Sequence, residues 1–133
     1  MLKGIYALII QLDKDISVNV GALGNLPFKK GLYAYVGSAQ ANLAHRIRRY
    51  FRKEKHLFWH IDYLLNNRSA SIIKVFYKEA TKSGECMLAH EISTRGTHVA
   101  GFGCSDCRCK SHLFYITDYR FLQDTMQTVR LKT

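Results

Sequence analysis

The stretch IYALIIQL at residues 5–12 commits the chain to a β-strand. Its apolar residues run together instead of alternating, and it is rich in the β-branched and aromatic types that fill buried strands. The run is also far shorter than the roughly 18 apolar residues a membrane helix needs. The N-terminus has no signal-peptide cleavage pattern, so a soluble, cytoplasmic protein is expected. With 133 residues, 47% of them hydrophobic and a single proline, the chain reads as one folded domain over residues 1–133, large enough to bury a core.

The rest of the chain divides around that strand. ISVNVG at 16–21 alternates, with Ile16, Val18 and Val20 on one face, and reads as an antiparallel partner reached through a turn at 13–15. Residues 21–31 carry turn formers and read as loop, and a third strand covers 32–36. Asn42 is placed as an N-cap. Leu43, Ile47, Tyr50 and Phe51 then recur at helical spacing. LFWHIDYLLNN gives a second helix, with Leu57, Ile61, Leu64 and Leu65 inward and Asn66 and Asn67 at its end. SIIKVFY at 71–77 is a strand, Ser83 and Gly84 open a third helix, LFYIT is a last short strand, and 119–133 is a terminal helix or a loose tail. The order β-β-β-α-α-β-α-β predicts a small α/β (α+β) fold, a mixed or antiparallel sheet flanked by helices.

Charge points to the partner. The formal net charge is +10, and much of it lies in HRIRRYFRKEKH at 45–56. Such a cluster favours a polyphosphate partner, because each neutralised phosphate releases condensed counterions. Arg48, Arg49, Arg52 and Lys53 fall mostly off the apolar stripe of their helix, where nucleic acid is expected to lie. Arg46 sits at the stripe's edge. The competing reading is a solvated basic helix face.

One carboxylate stands out by geometry. At roughly 100° per residue, Glu85 projects between Leu88, Ala89 and Ile92, in the middle of the apolar stripe of the third helix. A carboxylate there is costly unless it is paired, hydrogen-bonded or metal-bound. The alternative is that Glu85, in the first turn, meets the helix dipole and turns out to water.

GIY at 4–6, YVG at 35–37 and NLAHRIRRYF at 42–51 together resemble the signature of the GIY-YIG nuclease superfamily. The longer pattern HIDYLL, ECMLA and GFGCSDCRCKSHLFY resembles a largely archaeal branch of it, some members of which are joined to endonuclease-three-type DNA repair glycosylases. The resemblance implies a GIY-YIG endonuclease-like fold and metal-dependent hydrolysis of DNA phosphodiesters, in repair or processing. A glycosylase-type repair partner and a monomeric state go with it. Position by position it makes Tyr6 and Tyr35 the paired motif tyrosines, Arg46 the phosphate-binding arginine and Tyr50 the tyrosine that follows it. It makes Glu85 the ligand of one Mg²⁺ or Mn²⁺. His60 is an alternative base on position alone.

The sequence departs from the superfamily pattern in three places. The interval between the two motifs is longer. Ser38 stands where the bacterial excision-repair subunit has a lysine, which removes one phosphate contact or leaves it to Lys29, Lys30 or Arg48. The asparagine typical of the C-terminal region has no clear match, with Ser105, Asp106, Ser111 and His112 as substitutes.

All four cysteines are Cys86, Cys104, Cys107 and Cys109. A structural Zn²⁺ would take Cys104, Cys107, Cys109 and His112, or Cys86 in place of one. The single residue between Cys107 and Cys109 is unlike the usual knuckle, and reduced thiols in a glycine-permitted loop are the blander reading. Two further functions compete with the nuclease: a non-catalytic nucleic-acid-binding module and a zinc-organised interaction module.

Overall fold

A computed structural model describes residues 3–52, 57, 59–103 and 111–129. The expected contact at Lys53 and the expected zinc ligands Cys104, Cys107 and Cys109 lie outside the described residues.

The first strand, β1 (Gly4–Leu12), is the centre of a six-stranded sheet. Both of its edges are paired, with β4 (Gly31–Ala39) on one side and β5 (Ala70–Lys78) on the other. β7 (Leu113–Ile116) and the two-residue β6 (Thr97–His98) extend the sheet beyond β4, and β8 (Gln127–Thr128) closes it beyond β5. Every pairing is antiparallel.

Both faces of this sheet are covered, which is why β1 does not alternate. Tyr6, Leu8, Ile10 and Leu12 pack with Tyr33 and Tyr35 beneath α1 (Leu43–Tyr50) and α2 (His60–Leu65). Ile5, Ala7 and Ile9 point the other way, onto α3 (Ser83–Ser93) and α4 (Arg120–Thr125). A strand buried on both faces needs apolar residues at every position. Among the described residues, no helix is long and apolar enough to cross a membrane.

Several expected elements are placed differently. The strand at 16–21 does not pair with β1, whose edges are taken. It forms β2 (Ile16–Asn19) and pairs with β3 (Asn25–Phe28) in a separate two-stranded sheet. β3 lies in the segment read as loop, because Gly24 and Pro27 look like turn formers. A proline is tolerated in a strand with only one partner, where its missing N–H breaks no ladder. Phe51 and Leu57, expected inward, are 44% and 40% exposed, since α1 stops at Tyr50 and α2 begins only at His60. Residues 119–129 hold α4 and β8.

Candidate active site

The two glycine–tyrosine segments are neighbours because of strand register. Tyr6 on β1 pairs with Gly37 on β4, and Leu8 pairs with Tyr35. Paired residues share a face, so Tyr6 lies across the backbone of Gly37. A Cβ at position 37 would fall on the phenol ring and hydroxyl of Tyr6, and one at Gly4 would fall on the Lys78 carbonyl. Both glycines of the pattern therefore have a packing cause.

Past Tyr35 the edge of β4 opens. The β7 ladder ends at Leu113, opposite Tyr35, with one further bond from the Val36 N–H to the His112 carbonyl. A cleft of about 350 Å³ lies here, lined by Tyr6, Gly37, Arg46, Trp59, Lys82 and Glu85 among others. Residues from both faces of the sheet meet in it, because α3 begins beside the end of β4.

Three tyrosines form its wall. The hydroxyls of Tyr6 and Tyr50 are hydrogen-bonded, and the Tyr35 ring stands edge-on to Tyr50 with centroids 6.5 Å apart. All three are buried, and burial pushes each phenol above its ordinary value. For Tyr6 the bond to Tyr50 and the Arg46 guanidinium oppose that rise without cancelling it. The phenols are therefore protonated at neutral pH.

Arg46 is half-buried, as its place at the stripe's edge predicts. Its guanidinium donates to the Ser38 carbonyl at 3.1 Å and lies 4.7 Å from the Trp59 ring centroid. Glu85 turns inward: its side chain is 14% exposed, one oxygen accepts from the Ser38 hydroxyl at 2.9 Å, and the other is 3.0 Å from Nδ1 of His112. Ser38 thus touches both charged groups, and His112, buried at 1% exposure, braces the second.

A further brace lies behind Arg46. Asp62 is fully buried, and its two oxygens take Arg49 at 2.9 and 3.0 Å. The Trp59 backbone N–H also donates to Asp62, at 2.9 Å, while the Arg49 guanidinium lies 4.3 Å from the Trp59 ring centroid. The bond to Asp62 is the main cause that raises the Arg49 pKa. Arg49, expected on the nucleic-acid face, is thus held in a mostly buried pair, whereas Arg48 and Arg52 are exposed.

Other expected residues stand apart. His60 accepts from the Gly103 N–H through Nδ1 at 2.8 Å and packs its ring on Phe102; it is not among the residues lining the cleft, and burial lowers its pKa. Lys29 and Lys30 precede β4 at the end opposite Ser38, about 25 Å away at strand rise. Lys82, beside Glu85 in the cleft, was not anticipated by the sequence. His112 is committed to Glu85, and among the described residues no three His, Cys, Asp or Glu side chains cluster as a metal site. A lone carboxylate nonetheless suits Mg²⁺, which keeps several waters and takes one or two carboxylates plus substrate phosphates.

A family model described as a domain of unknown function, DUF123, matches residues 5–132. No curated protein and no solved structure matches the chain.

Proposed function

The chain belongs to the DUF123 family, a GIY-YIG-like family, and from that membership we propose that it is a metal-dependent DNA endonuclease. The observation that carries this reading is the convergence of Tyr6, Arg46 and Glu85 on one cleft, with Glu85 turned inward instead of toward water.

The chemistry follows from the side chains. Arg46 offers a planar donor fork to the scissile phosphate, and its bond to the Ser38 carbonyl and its contact with Trp59 fix the fork's direction before substrate arrives. Lys82 adds a second positive charge at the same mouth. Glu85, held from both sides, is the residue to hold one Mg²⁺ or Mn²⁺. That ion, when bound, offsets charge developing on the leaving oxygen.

Tyr6 orients the attacking water. Because burial keeps its phenol protonated, it serves first as a positioning group. Most of the acceleration then comes from positioning and charge stabilisation.

DNA repair is the setting we favour. It rests on the resemblance of the HIDYLL, ECMLA and LFY segments to the largely archaeal branch with glycosylase-joined members.

The test is cleavage of branched, single-stranded and duplex DNA with Mg²⁺ or Mn²⁺ by the native chain, Glu85→Ala and Arg46→Ala. Cutting abolished by both, with DNA binding by Glu85→Ala intact, is the expected result. Cutting indifferent to Glu85, or none at all, leaves a basic binding domain on a nuclease fold.

A further inference from the structure

A second cavity, of about 500 Å³, adjoins the cleft, and Tyr50 lines both. We propose that it receives the base of an unpaired nucleotide flanking the scissile phosphate; its place relative to the cut rests on the nuclease reading above.

The construction of this cavity suits a base. Its lining mixes the apolar Leu65, Ala70 and Ile72 with the polar Asn66, Asn67, Arg52 and Arg68. Its wall is aromatic, from Tyr50 and Phe51. Phe51 is 44% exposed, and every nucleobase presents a π-face that can stack on such a ring. The volume falls within the roughly 300–1,000 Å³ range of small-molecule sites.

Polarity decides which part of the nucleotide enters. The C-terminal ends of α1, at Tyr50, and of α2, at Leu65, both border the cavity. Helix C-termini present carbonyl oxygens and the negative end of the backbone dipole. These offer acceptors to the N–H edge of a base. The exposed cations Arg52 and Arg68 stand on the lining as phosphate partners, and the Asn66 amide is polar and exposed beside them.

Spacing ties the cavity to the cleft. Phe51 follows Arg46 by five positions, about 7.5 Å along a helix axis. Five positions also turn about 140° around the helix, so a strand whose phosphate lies on Arg46 passes around Tyr50 to reach Phe51. A base paired in a duplex cannot enter, so the cavity selects substrates with an unpaired nucleotide beside the cut.

The test uses the full chain without divalent ion, so that binding is read without cutting. Single-stranded oligonucleotides carry one 2-aminopurine each, moved along the sequence, with a blunt duplex of the same sequence as control. The expected result is fluorescence quenching confined to one or two adjacent positions. Phe51→Ala should remove that quenching and weaken single-strand binding about tenfold to a hundredfold, with duplex binding little changed and Phe51→Trp restoring both. Because Phe51 is exposed, its truncation spares the core, and an unchanged circular dichroism spectrum verifies this. Uniform quenching, or affinity unchanged in Phe51→Ala, overturns the proposal. Loss of cutting is read separately through Glu85→Ala, so a failed base pocket and a failed nuclease assignment give different patterns.

Discussion

The Ser38 hydroxyl donates a 2.9 Å hydrogen bond to Oε2 of Glu85, while the carbonyl of the same residue accepts from Arg46. One residue of β4 therefore sets the spacing between the proposed phosphate-binding and metal-binding groups. It holds them through its side-chain hydroxyl and its own backbone carbonyl.

Ser38→Ala tests that arrangement. The carbonyl survives, so Arg46 keeps its partner, while Glu85 gives up the hydroxyl and keeps His112. Groups that orient a metal ligand typically contribute 10- to 100-fold in affinity or activity. We expect Mn²⁺ affinity, measured by titration calorimetry without DNA, to fall about tenfold. Thermal stability should change little, since a single hydrogen bond contributes only about 1 kcal/mol. Unchanged Mn²⁺ affinity would remove Ser38 from the site.

Asp62→Asn should act on Arg46 from behind. The substitution removes a fully buried charge and leaves Arg49, whose side chain is 20% exposed, without its ionic partner. Breaking a buried pair costs about 3–5 kcal/mol, and partial access of Arg49 to water lowers that to about 2–4. Urea unfolding gives the stability loss. The cleavage rate should also fall, because the Trp59 platform is anchored through the same carboxylate. Replacing Arg49 by Lys keeps charge but loses the two-pronged contact, so it should cause only part of either loss.

The difference between Glu85 and Asp62 shows what was legible in the sequence. Glu85 was visible because its neighbours on the helix, Leu88, Ala89 and Ile92, are one stripe, and a carboxylate inside a stripe violates a local rule. Asp62 violates none. It falls off the stripe of Ile61 and Leu64, and its burial comes from Arg49, 13 positions away on another helix. His112 is likewise paired across 27 positions. Strands with strong local signals, β1, β4 and β5, were legible, and so were the two helices between β4 and β5 and the one after β5. β3 was not, because it lies among turn formers, and neither were β6 and β8, because strands of two residues owe their conformation to the partner they pair with and not to their own sequence.

Salt dependence should separate the basic residues of α1. Removing one phosphate-binding side chain reduces the slope of log K against log salt by about 0.9 on duplex DNA. Arg48 and Arg52 are exposed, so Arg48→Ala or Arg52→Ala should lower that slope by about one each without loss of stability. Arg49→Ala should instead destabilise the fold, since it strips the partner from buried Asp62, and leave the slope nearly unchanged. Fluorescence anisotropy over a salt series decides it. A slope lowered equally by all three would place Arg49 on the nucleic acid despite its pair.

Alkaline unfolding is the last expectation. Tyr6, Tyr35 and Tyr50 have phenols pushed above the ordinary value of 10.0, with burial the largest cause in each, and burial pushes Tyr33 up to about 12. A raised folded-state pKa means that the folded chain holds its protons after the unfolded chain has released them. The stabilisation is therefore fully present below about pH 10, where both states are protonated, and is lost as pH rises through the folded values. Stability in urea should decline steeply above pH 10, and the tyrosinate absorbance of the four buried phenols should appear only together with loss of tertiary structure. In Tyr35→Phe the decline should be shallower, because one linked proton is gone. If all eight tyrosines form tyrosinate while the near-ultraviolet circular dichroism stays native, the buried phenols titrate inside the fold, and Tyr6 is a readier base than its burial implies.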